Sequence, residues 1–369
     1  MSKLPSFAES ASFQSLLEEL RNSSSKLNDH DAWPAEQLHA MSEAGVLGWL
    51  IPEEFGGSNV SNVDLTVGYE KLAAACLAST FVLTQRNAAI QRIVRSENED
   101  LKKDLLPELA TDSLFATVGI SHLTTSRQHL GTPAVTAEKL DAGFILNGEV
   151  PWVTGADKAD VIVCGGTLND NTQVLVALET SKVGVEVAPA VPLMALNSSR
   201  TSTVKLNNVF VSLKFLLHGP VENVMKQTGG GAGSYTTSAL AVGHAANAIR
   251  LLRIEADRRS ELNEILQPFV DDQASIAADL SLAASENTDT PPHLTAETMR
   301  QRSNSLALRA SQACLAASKG AGFVASHPAS RLVAEAMFFL VWSCPQPVVL
   351  GNLRELACGT GGADAGVAS

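Results

Sequence analysis

Gly143-Phe-Ile-Leu-Asn-Gly-Glu-Val-Pro-Trp-Val-Thr154 carries the pattern on which the fold turns. Short apolar runs flank Asn147-Gly148, and both of those residues tolerate the positive φ of a tight turn, so the stretch predicts a β-hairpin that reverses there. Further strand signals follow at 161–164 and 174–178, separated by Asn169-Asp-Asn171. Val183, Val185 and Val187 then alternate with Gly and Glu, as a half-buried strand should, and 203–206 and 209–211 complete the set. Roughly six strands between residues 115 and 217, closed by turn residues, predict a small sandwich or barrel.

Helical patterns lie on both sides. Leu16, Leu17 and Leu20 share one face, and Leu38, Met41, Val46 and Leu47 form a second stripe. Leu65, Val67, Leu72 and Ala75 mark a helix over 64–77. Ser96-Glu-Asn-Glu99 has the spacing of a capping box and predicts a short helix that stops before Pro107. Beyond the strands, the glycine-rich 228–234 reads as a linker. Long helices are predicted over 235–259, 266–284 and 296–318, with shorter ones over 328–340 and 348–357. Residues 359–369, rich in Gly and Ala, read as a disordered tail. The domain organisation expected is therefore a helical domain over 1–112, a β domain over 113–220, a C-terminal helical bundle over 221–358 and the tail.

A chain of 369 residues with 45% hydrophobic and 18% charged residues can bury two or three cores. Its net charge of -12 offers no basic footprint for nucleic acid. The start, Met1-Ser-Lys-Leu-Pro-Ser, lacks an apolar signal core, and no apolar run approaches a membrane span, so a cytoplasmic protein without a membrane partner is expected. The five cysteines (Cys76, Cys164, Cys314, Cys344, Cys358) contain no C-x-x-C pair. They signal neither a zinc site nor a disulfide framework, and no metal is expected.

Four motifs, Gly45-Val-Leu-Gly-Trp-Leu-Ile-Pro-Glu-Glu-Phe-Gly-Gly57, Leu105-Leu-Pro-Glu-Leu-Ala110, Leu146-Asn-Gly-Glu-Val-Pro-Trp-Val-Thr-Gly155 and Lys205-Leu-Asn-Asn-Val-Phe-Val211, are set in an order of helices, compact β unit and helix bundle. Together they resemble the acyl-CoA dehydrogenase family over nearly the whole chain. The resemblance implies an α+β fold of acyl-CoA dehydrogenase type: N-terminal helices, a central β-barrel or sandwich and a C-terminal four-helix-type bundle. It further implies FAD, with FMN or reduced flavin as alternatives, and a small-molecule substrate such as an acyl-CoA. A homodimer or homotetramer and an electron-transfer or reductase partner complete the expectation.

Site residues carry over position by position. Trp152 and Thr154 correspond to the family's flavin-contacting indole and hydroxyl. Val118-Gly-Ile-Ser-His122 occupies the place of the Thr-Glu-Pro stretch facing the flavin, which makes Val118, Gly119 and Ser121 cofactor contacts and Ser121 and His122 catalytic candidates, the latter titratable near neutrality. Arg259 falls where the family reaches the pyrophosphate of an FAD held by a neighbouring subunit, while the Phe and Gly that usually follow it are absent. Lys319-Gly-Ala-Gly-Phe323 resembles the family's glycine turn and supplies Gly320 and Gly322, although Ala316 replaces an expected Gln. Arg127 is a further anion candidate.

The base is the main departure. Removing the α-proton of a thioester calls for a carboxylate, but the family's glutamate position aligns with Ser343, in Trp342-Ser-Cys-Pro345. The alternative position offers Gly233 and Ser234. Cys344 has no cation within its own motif to stabilise a thiolate. Three functions stay open: a dehydrogenase using another base such as Glu255, Glu261 or His122, a flavin monooxygenase fed reduced flavin by a reductase, and a non-catalytic member. Small residues over 239–248 suit close helix contact and favour a homo-oligomer.

Overall fold

A computed structural model describes residues 7–29, 31–124, 131–227, 235–285, 291 and 293–358. The linker over 228–234, with Gly233 and Ser234, the tail over 359–369 and Arg127 lie outside the described residues. The chain forms two compact units, one from the described parts of Leu4–Ser61 and Ala78–Gly231, the other from Asn62–Leu77 and the described part of Ala232–Ser369.

The first unit opens with α1 (Ala11–Ser23), capped by the Ser10 hydroxyl, which accepts from the Phe13 backbone N–H. It buries Phe13, Leu16, Leu17 and Leu20, the stripe visible in the sequence. After α2 (Ala35–Glu43) comes the loop of the Gly45–Gly57 motif, where a Cβ on Gly57 would lie 2.0 Å from the Ile51 carbonyl oxygen, so only glycine lets the loop fold back on itself. Then follow α4 (Leu77–Val94) and α5 (Glu99–Leu109). The cap of α5 is Asn98, which accepts from Leu101 N at 3.1 Å; Ser96 instead bonds the Leu217 carbonyl at 2.9 Å. The helix also continues through Pro107 rather than stopping before it. Leu106 and Leu109, both buried, hold that last turn in the core more firmly than one missing N–H opens it.

The strands are β1 (Ala116–Gly119), β2 (Val135–Leu140), β3 (Gly143–Val153), β4 (Val161–Thr167), β5 (Gln173–Glu179), β6 (Val185–Val187), β7 (Ser202–Ser212) and β8 (Leu216–Val221), with the single-turn α6 (Ser121–Thr124) after β1. They form one mixed sheet in the order β6-β7-β3-β2-β4-β5-β8, with β1 parallel to β4. The predicted reversal at Asn147-Gly148 does not occur, because both runs flanking it belong to the single strand β3; the hairpin formed here is a different one, β2 with β3, turning at Asp141-Ala142 and paired from Leu140↔Gly143 to Val135↔Gly148. Asn147-Gly148 lies inside β3. Opposite it β7 carries an extra residue, with Asn208 at φ +52 and its N–H bonded to the Asn147 side chain at 2.7 Å. Of the Asn-Gly pair only Gly148 has positive φ, +129, and the left-handed residue of the bulge is Asn208 on the facing strand. Val135, Phe144, Leu146, Val150, Val163, Leu175 and Val209 fill the core beside Ile90, Ile93 and Leu106.

The second unit packs α3 (Asn62–Ala75) against α8 (Tyr235–Arg258), with α9 (Asn263–Ala283), α10 (Ala296–Ala317), α11 (Lys319–Gly322), α12 (Pro328–Phe338) and α13 (Gln346–Cys358) around them; a short α7 (Val224–Gln227) precedes α8 in the chain. A Cβ on Gly243 would sit 2.1 Å from the Glu70 carbonyl oxygen, so the small-residue face of α8 serves contact with α3 of the same chain. It is therefore not a free face for a second copy. No helix among the described residues is long and apolar enough to cross a membrane.

Candidate functional site

Several of the predicted residues meet where β1, α6 and the end of β3 come together. Gly119 ends β1 because a Cβ there would lie 2.6 Å from Val150 Cγ1 and 3.1 Å from Val153 Cγ2. Val118 beside it is buried. One residue later the chain turns into α6, and the Ser121 hydroxyl donates to the Pro151 carbonyl at 3.0 Å, tying that turn to β3. His122 is buried, with Nε2 2.9 Å from the Gly165 carbonyl oxygen. A carbonyl only accepts, so Nε2 carries the proton in this bond.

At the end of β3 the register against β7 breaks between Val150 and Val153, which gives β3 one extra residue. Trp152 sits in that bulge at φ +60 with 56% of its surface exposed. A bulky residue in the left-handed region costs about 1–2 kcal/mol, and an outward indole recovers little of it by burial. Thr154, two residues on, is buried: its carbonyl accepts from Thr117 Oγ1 at 2.8 Å and its hydroxyl meets Thr201 Oγ1 at 3.3 Å, which in turn meets Ser199 Oγ at 2.9 Å. Gly155 follows at φ +63, packed under Trp33. The loop carrying Ser199 is anchored by the Arg200–Asp157 pair at 2.7 Å.

The remaining predicted residues lie in the helical unit. Arg259 pairs with Glu255 at 2.8 Å and donates to the Ala317 carbonyl, joining the ends of α8 and α10. Glu255 also pairs with Arg258 at 3.2 Å, and Glu261 is exposed. Gly322 packs tightly, with a Cβ due 2.7 Å from Ser318 Cβ, whereas Gly320 has open space. Ser343 sits at φ +49 in the turn after α12.

Two groups escaped the sequence reading. His244 Nε2 lies 2.9 Å from the Leu332 carbonyl and 3.2 Å from Ser311 Oγ, while Nδ1 faces Glu335 at 3.5 Å. Burial pushes the Glu335 carboxyl up to about 7 against the pull of Arg331, and burial pushes His244 down to about 4. The second is Arg300 of α10, whose Nη2 lies 4.0 Å from Cys344 Sγ. Cys344 does have a cation, but it comes from another helix, 44 residues away. The legible signal was a charged residue on the buried stripe Met299, Arg300, Ser303, Asn304, Ala307. Among the described residues no cluster of His, Cys, Asp and Glu is arranged to hold a metal ion.

Residues 12–113 match the family described as acyl-CoA dehydrogenase, N-terminal domain. A "probable acyl-CoA dehydrogenase" of Bacillus subtilis is 26% identical over 63% of this chain, an alignment that spans 39% of the relative's length. By sequence, residues 12–113 are thus similar to the N-terminal domain of acyl-CoA dehydrogenases. The fold of the whole chain agrees with that likeness. A chain solved as "electron transferring flavoprotein of Acidaminococcus fermentans" superposes with a TM-score of 0.83 at 17% identity, covering 97% of this chain and 100% of that one. A glutaryl-CoA dehydrogenase from Mycobacterium smegmatis, solved in complex with FADH2, superposes with a TM-score of 0.76 at 17% identity, covering 94% and 92%. Helices, mixed sheet and helices thus follow the order that acyl-CoA dehydrogenase resemblance implied.

Proposed function

We propose that this chain belongs to the acyl-CoA dehydrogenase family and is a flavin-dependent oxidoreductase acting on the CH–CH group of an acyl-CoA or similar thioester. The observation that carries the reading is Trp152: an exposed indole in a strained backbone conformation, beside the Ser121 hydroxyl, on the fold of flavoenzymes. Strain of that kind persists where the surroundings fix it and where a ligand uses it.

The residues fit the ring half of a flavin. Trp152 offers the apolar face and Ser121, half-buried at the start of α6, a hydroxyl near it, while Thr154, Thr201 and Ser199 are buried and bond one another. A bound flavin would supply the hydride acceptor. Arg259, read for the pyrophosphate of a neighbouring subunit's flavin, is already neutralised by Glu255. Val118 and Gly119 shape the floor by packing, and Gly322 holds the α11 turn.

The chain's own part in the reaction is to place and dry the substrate and to take the α-proton. Ser343 cannot take it as a carboxylate would. Of the other candidates, Glu255 is committed to two arginines and His122 donates to Gly165. A second, non-catalytic reading draws on that same commitment of Glu255 and Arg259. The monooxygenase reading has His122 buried against a carbonyl rather than presented to a ligand.

The experiment is a flavin titration of the purified protein, followed by anaerobic addition of an acyl-CoA panel. A tightly bound flavin bleached by one of the thioesters supports the dehydrogenase. Binding of reduced flavin alone favours the monooxygenase, and no binding in either redox state leaves the non-catalytic member. The same reading includes a homodimer or homotetramer, an electron-transfer partner and a cytoplasmic setting. Phe323, Val324 and Val341, all strongly exposed in the helical unit, support self-association. Sedimentation as a monomer would count against it.

A further inference from the structure

Trp152 keeps φ at +60 although its side chain is exposed and gains little from burial. Left to itself, such a residue relaxes to an extended backbone, because the left-handed region crowds Cβ against the following carbonyl oxygen. The constraint therefore comes from its neighbours. Pro151, before it, has φ fixed by its ring, and the Pro151 carbonyl accepts from the Ser121 hydroxyl at 3.0 Å. After it, the Thr154 carbonyl accepts from Thr117 Oγ1 at 2.8 Å, and the Gly155 N–H donates to the Ser199 carbonyl at 2.8 Å.

Two of these donors belong together. Thr117 and Ser121 are four residues apart on one segment, the end of β1 and the first turn of α6, and they take the carbonyls on either side of Trp152. Neither hydroxyl is needed to build that segment. β1 pairs with β4 through its backbone, from Ala116↔Val161 to Gly119↔Cys164, and a valine at 117 would pair as well. The segment is itself anchored, since His122 Nε2 donates to the Gly165 carbonyl on β4 at 2.9 Å. Thr117 and Thr154 are both shielded from water, so the Thr154 carbonyl has no solvent to replace a lost donor.

We propose that Thr117 and Ser121 are positioning residues for Trp152: their hydroxyls clamp the bulge from both sides and hold the indole as a preformed platform for a flat aromatic ring. That the ring is a flavin rests on the function proposed for this chain, whereas the clamp rests on these bonds alone. A platform fixed in advance raises affinity, because the ordering and strain of the bulge are met before the ligand arrives. Ser121 gives its one proton to Pro151, so toward a ligand its oxygen can only accept. His122 belongs to the same clasp, holding α6 against β4.

The test labels the full chain with 5-fluorotryptophan, which gives Trp33, Trp49, Trp152 and Trp342 one fluorine resonance each. W152F assigns the line of Trp152. T117V keeps the shape of threonine and removes only the donor, and S121A removes the second donor at a half-buried position. In each variant, without ligand, the Trp152 line should move toward that of free 5-fluorotryptophan while the other three stay. FAD affinity should fall by about tenfold. T117S, which keeps the hydroxyl, should restore both. Folded T117V and S121A proteins whose Trp152 line stays at the parent's position would overturn the proposal, even with a lower urea midpoint, since a merely structural bond would do no more. Failure of the parent to bind FAD in either redox state would sink the flavin reading instead, and the line positions would still decide the clamp.

Discussion

The imidazole Nδ1 of His244 and a carboxyl oxygen of Glu335 lie 3.5 Å apart inside the helical unit, with both side chains almost wholly shielded from water. Because burial raises the acid to about 7 and lowers the base to about 4, the two meet as a neutral pair at intermediate pH. Charged, each would carry a desolvation cost that 3.5 Å of separation does not repay.

That pairing predicts an unusual pH profile. Between the ordinary values of 4.5 for Glu and 6.5 for His, the folded pair holds one proton, on Glu335, and the unfolded pair also holds one, on the histidine. Equal proton counts mean that the pair contributes no slope to stability there. E335Q removes the compensation: the unfolded chain then binds a proton on His244 that the folded chain refuses, so stability falls as pH drops from 6.5 toward 4, by up to about 3 kcal/mol. H244N does the reverse, because Glu335 alone favours the folded state when protonated, and stability is lost as pH rises from 4.5 to 7. Melting curves across pH for the parent and both variants check this; parallel profiles would refute it.

Arg86 is a second buried cation, and its work is mechanical. It donates to the carbonyls of Leu47 at 3.0 Å, Thr111 at 3.3 Å and Leu109, and so pins the Gly45–Gly57 loop to the end of α5. R86M leaves those carbonyls without their donor and should cost about 3–5 kcal/mol. The denaturant midpoint reports it, and a loss below about 1 kcal/mol would show the carbonyls finding water instead.

Trp152 predicts a separation of stability from binding. W152G removes the left-handed strain at the cost of extra freedom in the unfolded chain, effects of about 1 kcal/mol each and opposite sign, so the urea midpoint should hardly move. Flavin affinity should drop clearly. Unchanged affinity with a lower midpoint would make the indole a structural residue.

G119A tests the junction from the other side. The added methyl meets Val150 Cγ1 at 2.6 Å and should cost about 1–3 kcal/mol while displacing Ser121 from Pro151. Stability equal to the parent's would show that β1 can shift without strain.

Much of this was legible in the chain. The helix stripe of Leu16, Leu17 and Leu20, the β segment and the long C-terminal helices follow from spacing alone, because one apolar face per element leaves a periodic trace. The hairpin read at Asn147-Gly148 is absent because Asn-Gly advertises tolerance of positive φ without saying that a turn will use it; the chain runs straight through it in β3 and reverses instead at Asp141-Ala142, the weaker signal. Pro107 was read as a stop because the missing hydrogen bond is visible in sequence and the burial of Leu106 and Leu109 is not. Ser121 and Trp152 do come together, through Pro151. Arg300 and Cys344 do not look related in sequence at all, since only the packing of α10 on the end of α12 makes them neighbours.

The membership of α3 in the helical unit has a consequence for synthesis on the ribosome. Leu65, Tyr69 and Leu72 emerge early, but α8, which covers them, follows only after everything from Cys76 to Ser234 has been translated. At about 5–20 residues per second, that is a delay of roughly 10 to 30 seconds. For that interval the nascent chain carries an uncovered apolar helix, so a trigger-factor-like holdase should crosslink to this segment during translation and release it once α8 has cleared the exit tunnel.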